Sequence, residues 1–343
     1  MSKAKAWFLL FRPWSYTATL VPFLVAAGFL WGGNVDWRSW ALGLFAGLCL
    51  QATVNLLNTW GDERSGVDDA PGAIRTTPQV HDGIISMRAV LIAAIAAAVV
   101  GVAAGAAACV YTAANTSEKV SLGGGWFLNV PALAAGVLGI LGATNYSTGI
   151  KFKYHGLGVP FVSMLMGPIE MFAALALFCP VITAEMFYGE THVEQFLVMP
   201  GLCYAILALY LFASLPVASL VGVIMHGNDM RDISSDRAAG IVTLASRLGP
   251  RGALRYYCAA HVVPYATVAL YVVLFLVTNG RFGGAGFLLP LLCLPLRVRT
   301  IRTAVRVYRE RPESPPWRAL ERASGLIHFI FGLLYAAAWA FMH

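Results

Sequence analysis

Residues 88–111 read RAVLIAAIAAAVVGVAAGAAACVY, and between Ala89 and Tyr111 no side chain carries a charge. A helix needs about 20 mainly apolar residues to cross a bilayer, so this stretch alone predicts a membrane span. Eight further segments come close to the same requirement, near 14–32, 39–58, 126–145, 157–183, 198–225, 252–278, 283–297 and 322–342. The one at 283–297 is the shortest and contains Pro290 and Pro295. Such runs are too long for barrel strands, and within lipid only a helix satisfies its backbone groups inside one segment. The expected fold class is all-α: a polytopic membrane protein of nine transmembrane helices, forming one integral membrane domain over residues 1–343.

Bulk composition agrees. Hydrophobic residues make up 58% of the chain and charged residues 12%, with a mean hydropathy of +0.69. A soluble domain carries about twice that charged fraction. The six cysteines show no C-x-x-C spacing, which argues against a disulfide framework or a zinc site. Lys3 and Lys5 precede the first apolar run, but no small-residue cleavage site follows, so that run reads as a retained span.

The basic residues set an orientation. With the N-terminus inside, nine spans place 21 of the 24 lysines and arginines in inner segments, leaving Arg38, Lys119 and Arg281 outside. Topology rules expect this bias, so the N-terminus and the long loops after spans two and six are expected to be cytosolic. The net charge of +7 is then explained by inner loops facing anionic headgroups, with no nucleic acid partner. The lipid bilayer is the expected partner, and the oligomeric state is not encoded in any recognisable pattern.

Chemistry concentrates in those two inner loops. The first holds Asn55, Asn58, Asp62, Gly66, Asp68 and Asp69. Asn58 and Asp62 are four apart and share a helix face, and Gly66 permits a reversal that returns Asp68 toward them. The second holds Asn228, Asp229, Arg231, Asp232, Asp236 and Arg237; Asn228, Asp232 and Asp236 align at i, i+4 and i+8. Carboxylates stacked at a membrane boundary repel, and protonation, arginines or divalent cations must offset this. Mg²⁺ favours a few carboxylates combined with phosphate oxygens and water, which two facing clusters would offer. A third group, Asn145 to Tyr154, contains Lys151 and Lys153. Either lysine could bind a diphosphate or simply anchor the loop, and Tyr146 and Tyr154 could equally be interfacial belt residues.

These motifs resemble the UbiA superfamily of membrane prenyltransferases, and within it the menaquinone branch. The resemblance is carried by Arg12-Pro13-Trp14-Ser15, by Asn58 to Asp62 with Gly66-Val67-Asp68, by Gly149 to Tyr154 with Gly156-Leu157-Gly158, by Gly167-Pro168, and by Asn228 through Gly249. It implies nine helices around a central cavity and Mg²⁺-dependent transfer of an isoprenyl group from a polyprenyl diphosphate to an aromatic acceptor. In that branch the acceptor is 1,4-dihydroxy-2-naphthoate. Carried over, Asn58, Asp62 and Asp68 would hold one Mg²⁺, and Asn228, Asp232 and Asp236 the other. Lys153, Arg75, Arg231 and Lys151 would bind diphosphate, and Tyr146 would sit near the ionising carbon. Asp62, Asp232, Lys153 and Tyr146 would be the catalytic set. Arg12, Asn55, Asp229 and Glu170 would face the acceptor.

Two departures matter. Asp229 stands where relatives often have asparagine, and Val159 where they commonly have an acid. Glu170, an ionisable residue deeper in the fifth span, is a functional candidate by its position and could replace that acid. Other acceptors of the superfamily remain alternatives: 4-hydroxybenzoate, homogentisate, a chlorophyllide, haem or a glycerol lipid. A cation-coupled transporter is the rival from another class, but it would place its acids near mid-bilayer in broken helices with inverted repeats. Here they lie at helix ends on one side.

Overall fold

The computed structural model describes residues 1–33, 36–65, 78–117, 129–179, 200–279, 284–313, 315–317 and 319–342. The N-terminal half contains α1 (Lys3–Phe11), α2 (Thr17–Phe29), α3 (Trp37–Ser65), α4 (Pro78–His81), α5 (Met87–Ser117), α6 (Val130–Asn145), α7 (Gly158–Met164) and α8 (Glu170–Phe178). The C-terminal half contains α9 (Pro200–Arg231), α10 (Ile233–Ala238), α11 (Leu244–Ala260), α12 (Val263–Asn279), α13 (Leu294–Glu310) and α14 (Leu320–Ala340). Among the described residues the only β-type pairing is an isolated parallel bridge between His155 and Val242.

The all-helical expectation holds, and seven of the nine expected spans have a full-length apolar helix among the described residues. Among the described residues, seven stretches are long and apolar enough to cross a membrane: Lys3–Phe29, Trp37–Arg64, Met87–Thr112, Gly158–Phe178, Ala205–Arg231, Leu244–Val277 and Leu320–Ala340. The expected fourth span is the shorter apolar helix α6. The expected eighth is a nine-residue 3₁₀ segment, Ala285–Cys293, leading into α13. Pro290 and Pro295 lack the N–H that an α-helical ladder requires. The arginines of α13, from Arg297 to Arg309, are costly to place in hydrocarbon.

Large apolar side chains such as Ile92, Val99, Val110 and Val277 point outward from the bundle, as lipid-facing surfaces do. Lipid tails are as apolar as leucine, so helices there associate through close packing, which small residues permit. A Cβ on Gly28 of α2 would lie 2.1 Å from the Ala336 carbonyl oxygen of α14, and one on Gly332 would lie 2.3 Å from Val21 Cγ1. Where α7 and α8 join, Leu165–Ile169 forms a π-helical turn around Gly167 and Pro168. Proline's missing donor breaks the regular ladder, and such turns are frequent at functional sites. Gly167 here touches α9, since a Cβ would meet Ala218 Cβ at 2.4 Å.

One end of the bundle is closed by aromatic residues. Tyr210, Tyr271, Phe287, Phe331, Tyr335 and Trp339 belong to one buried core. Ring centroids of Tyr271 and Phe287 are 5.0 Å apart, and those of Phe287 and Trp339 are 4.9 Å apart. The buried hydroxyls are satisfied on backbone, as Tyr210 donates to the Met171 carbonyl at 2.7 Å. Tyr210 and Asn228 are 18 residues apart on α9, roughly 27 Å along a helix. The polar motifs therefore gather at the opposite end.

Replacing Gly167 by valine is expected to destabilise the bundle by about 1–3 kcal/mol, because the α7–α9 contact has no room for a side chain. Thermal unfolding in detergent, with the melting temperature falling relative to the wild type, checks this.

Candidate active site

Four elements meet at the polar end: the C-terminal turns of α3, the loop Tyr146–Leu157, the α9–α10–α11 corner and the first turn of α14. Together they line a cavity of about 630 Å³ whose wall includes Arg12, Asn58, Asp62, Tyr146, Lys153, Asn228, Asp229, Arg231, Asp232, Asp236 and Glu321.

Asn58 and Asp62 share one face of the unbroken helix α3, as their spacing predicts. Lys153 Nζ reaches across to them, 2.8 and 3.0 Å from the two Asp62 oxygens and 3.4 Å from Asn58 Oδ1. The Tyr154 hydroxyl donates to Asp62 Oδ1 at 2.7 Å, and the Ser147 hydroxyl donates to Asn58 Oδ1. Burial by itself would lower the Lys153 pKa, but Asp62, Tyr154 and Tyr146 outweigh it and hold the ammonium above its ordinary value.

The loop is shaped for this reach. Gly149, Lys151 and Gly156 all adopt positive φ, which reverses the chain twice in ten residues. The Lys153 amide donates to the Tyr146 carbonyl at 3.1 Å. The same loop is fastened to the other motif: the Val242 amide donates to the Tyr154 carbonyl at 3.3 Å, and Arg247 donates to the His155 carbonyl at 3.1 Å.

The second motif crosses a break. Helix α9 ends at Arg231, and Asp232 starts α10. Backbone bonds from the Asp232 amide to Asn228 (3.1 Å) and from the Asp236 amide to Asp232 (2.8 Å) keep the i, i+4, i+8 register, so all three face the cavity. Thr243 caps α11 through a reciprocal capping box with Ser246, and its hydroxyl donates to Asp236 Oδ2 at 3.3 Å. Desolvation is the main cause that pushes Asp236 up to about 7, with Asp232 and Asp62 adding to it against Lys153 and Thr243.

Several expected residues sit differently. Arg231 is locked on its neighbours, with Nε and Nη2 2.7 and 2.6 Å from the Asp232 oxygens and Nη1 2.9 Å from Glu321 Oε2. Its charge is matched by two carboxylates at the cavity wall. Lys151 is exposed, stacks over the Tyr154 ring at 5.6 Å and is absent from the cavity wall, because its left-handed backbone turns it outward. Asn55 serves as a brace, donating to the Phe11 carbonyl at 2.8 Å and to Ser15 Oγ at 2.9 Å. Arg12, at φ +49, lines the cavity from the turn this brace holds. Tyr146 is buried rather than interfacial. Glu170 lies in a second, adjoining cavity. Val159 is buried and lines neither cavity. Gly66, Asp68 and Arg75 lie outside the described residues. Ser147, Tyr154 and Glu321 were not legible as site residues, since each acts through a partner 89, 92 or 90 residues away; Thr243, seven residues from Asp236, lies in the second motif but showed no role there.

The donor set suits a hard divalent cation. Carboxylate and carboxamide oxygens line both faces, and Asn228 Oδ1 is buried without a hydrogen-bond partner. Among the described residues no three of His, Cys, Asp or Glu form a preassembled cage. Mg²⁺ seldom uses such a cage, being bound by one or two carboxylates, waters and substrate phosphates.

The sequence profile of the UbiA prenyltransferase family matches residues 19–330. The chain is 26% identical to the UbiA prenyltransferase domain-containing protein 1 homolog of Drosophila melanogaster, over 99% of this chain and 81% of that protein. It is 27% identical to the human UbiA prenyltransferase domain-containing protein 1, over 97% of this chain and 82% of that protein. In three dimensions it is similar to a UbiA homolog from Archaeoglobus fulgidus bound to GPP and Mg²⁺, with a TM-score of 0.56, 17% identity and coverage of 98% and 99% of the two chains.

Asp236 gives a pH signature. Its carboxyl has a folded value of about 7 against an ordinary 3.8, so the folded state binds the extra proton between those values. Stability from this group is then highest below about pH 4 and is lost as pH rises toward 7. The melting temperature of Asp236→Asn, relative to the wild type, is expected to rise steadily from pH 4 to 8 when measured without divalent cation.

Proposed function

Because the chain belongs to the UbiA prenyltransferase family, we propose that it transfers an isoprenyl group from a polyprenyl diphosphate to an aromatic ring, in an Mg²⁺-dependent reaction within the polar-end cavity. The observation that carries this is the meeting of both Asn-x-x-x-Asp motifs with Lys153 on one cavity wall. The A. fulgidus homolog, bound to GPP and Mg²⁺, supports both the donor class and the metal.

Asn58, Asp62 and Asp68 would hold one ion, and Asn228, Asp232 and Asp236 the other. When bound, Mg²⁺ supplies Lewis-acid stabilisation of charge on the diphosphate. Lys153, with Arg75, neutralises the departing diphosphate as the bond between the allylic carbon and oxygen breaks. Preorganised charge of this kind contributes several kcal/mol to such a step. Arg231 acts indirectly, by holding Asp232 against Glu321. The buried Tyr146 ring offers its face to the allylic cation. The apolar walls exclude water, which would otherwise quench that cation. Attack by the ring forms the carbon–carbon bond, and the ring then loses the group at the attacked carbon.

For the acceptor, the menaquinone-branch motifs support 1,4-dihydroxy-2-naphthoate, whose carboxylate would leave as carbon dioxide. A second reading, another acceptor of the family, stands beside it, since the names of the animal relatives give the family and no acceptor. The distribution of basic residues supports a cytosolic site.

Asp62→Ala and Asp232→Ala are each expected to lower turnover at least about 100-fold while leaving a folded, monodisperse protein. Lys153→Ala should reduce kcat about 100-fold, and EDTA should abolish activity until Mg²⁺ is restored. A panel of 1,4-dihydroxy-2-naphthoate, 4-hydroxybenzoate and homogentisate, assayed with radiolabelled prenyl diphosphate, decides the acceptor. Unchanged turnover in both aspartate variants would overturn the site assignment.

A further inference from the structure

Beyond the polar cavity lies a second chamber of about 280 Å³, enclosed by α2, α3, α5, α6 and the α7–α8 span. The two share Gln51, Val54, Tyr146, Val162 and Met166 as a common wall, so the chamber adjoins the polar cavity at the Tyr146 ring. It is mostly apolar and rich in glycine, and besides Tyr146 and Cys109 its polar side chains are Thr19, Gln51 and Glu170.

Glu170 borders it from the start of α8, and Glu170 Oε2 is buried with no hydrogen-bond partner. Gln51, 7% exposed, stands at the junction. Its amide nitrogen is turned to Asn55 Oδ1 at 3.5 Å, leaving Oε1 buried and unpartnered. Thr19 lines the same wall with its hydroxyl facing the Glu170 carboxyl, and Gly47 packs against both: a Cβ there would lie 2.8 Å from Thr19 Cγ2 and 3.4 Å from Glu170 Oε1. Buried polar atoms without partners are rare and ask for an explanation.

The polar cavity has another apolar branch, lined by Val221, Ile224, Met225, Leu326 and Phe329 between α9 and α14. Those five side chains carry no polar atom, while the unpartnered Gln51 Oε1 and Asn228 Oδ1 lie elsewhere on the same cavity wall. A hydrocarbon tail fits it without penalty, whereas a tail in the Glu170 chamber would leave two oxygens unmatched. Glu170 lies four residues beyond Met166 of the shared wall, roughly 6 Å along a helix, which is the scale of one aromatic ring.

Building on the prenyltransferase reading above, we propose that the Glu170 chamber receives the aromatic acceptor, with Glu170 Oε2 and Gln51 Oε1 accepting hydrogen bonds from its ring hydroxyls. The tail of the donor then occupies the α9–α14 branch. Two acceptor oxygens select a hydroxylated ring over its ether, because a site built to bond a hydroxyl rejects an analogue that cannot donate.

The test measures binding, which needs no turnover. Full-length protein in detergent is titrated calorimetrically, under anaerobic conditions, with 1,4-dihydroxynaphthalene and with 1,4-dimethoxynaphthalene. The diol is expected to bind at least about tenfold more tightly to the wild type, the size of one good hydrogen bond. Glu170→Ala should erase that preference, Glu170→Gln should keep most of it, and KM for the prenyl diphosphate should hold steady in both. Equal preference in the wild type and Glu170→Ala would overturn the proposal. So would a donor KM that changes with chain length in Glu170→Ala, which would make Glu170 a stop for the tail. Should Glu170→Ala fail to fold, Gly47→Ala crowds the same carboxyl and is expected to weaken the preference; an unchanged ratio there counts against the chamber. If no aromatic acid is prenylated in the panel above, the proposed function falls while this titration still judges the chamber.

Discussion

A carboxylate at the end of an apolar helical bundle is stable only when a cation and hydrogen-bond donors face it. Asp62 is in that position, and the ammonium of Lys153 at 2.8 Å together with the Tyr154 hydroxyl at 2.7 Å makes its burial tolerable. Those partners lie 91 and 92 residues further along the chain. The loop that delivers them also pairs with the segment after α10, through the His155–Val242 bridge. The two acidic motifs are thereby joined by one connector, so an error in that loop would be felt at both. Arg231 does for Asp232 what Lys153 does for Asp62, with Glu321 sharing its charge.

The bundle divides its labour along its length. Interlocked rings at one end give rigidity without charged groups. At the other end the helices stop, break or turn, and their ends carry polar side chains into a common space. Gly28, Gly167 and Gly332 let backbones approach closely, which in lipid substitutes for the hydrophobic drive that soluble cores use. The π-turn at Leu165–Ile169 lies between these regimes. Met166 of this turn lies on the shared cavity wall, and Glu170, which follows it, lines the inner chamber.

The interior therefore has a charged head and two apolar branches that differ in one respect. One branch is purely hydrocarbon, while the other holds unpartnered oxygens. Tyr146 stands at the fork, where a cation generated at the head would be stabilised and where a ring from the inner chamber would meet it.

Sequence alone was enough for the membrane-spanning character and for the pairing of Asn58 with Asp62 and of Asn228 with Asp232 and Asp236. Hydrophobic run length and helical spacing are local properties, and the helices kept that register even across the break at Asp232. Local spacing could not show that Lys153 faces the acids while Lys151 faces outward, since that depends on left-handed turns at Gly149, Lys151 and Gly156. Nor could an apolar average show that 283–297 contains a 3₁₀ segment in place of a regular α-helix, since proline removes the ladder's donors there. Local spacing could not pair Arg231 with Glu321, which is 90 residues distant. Nor could it place Glu170 beside Gln51 and Thr19, for those three belong to three helices. Which side chains share a helix face is written in the order of residues; which faces share a cavity is decided only when the helices pack.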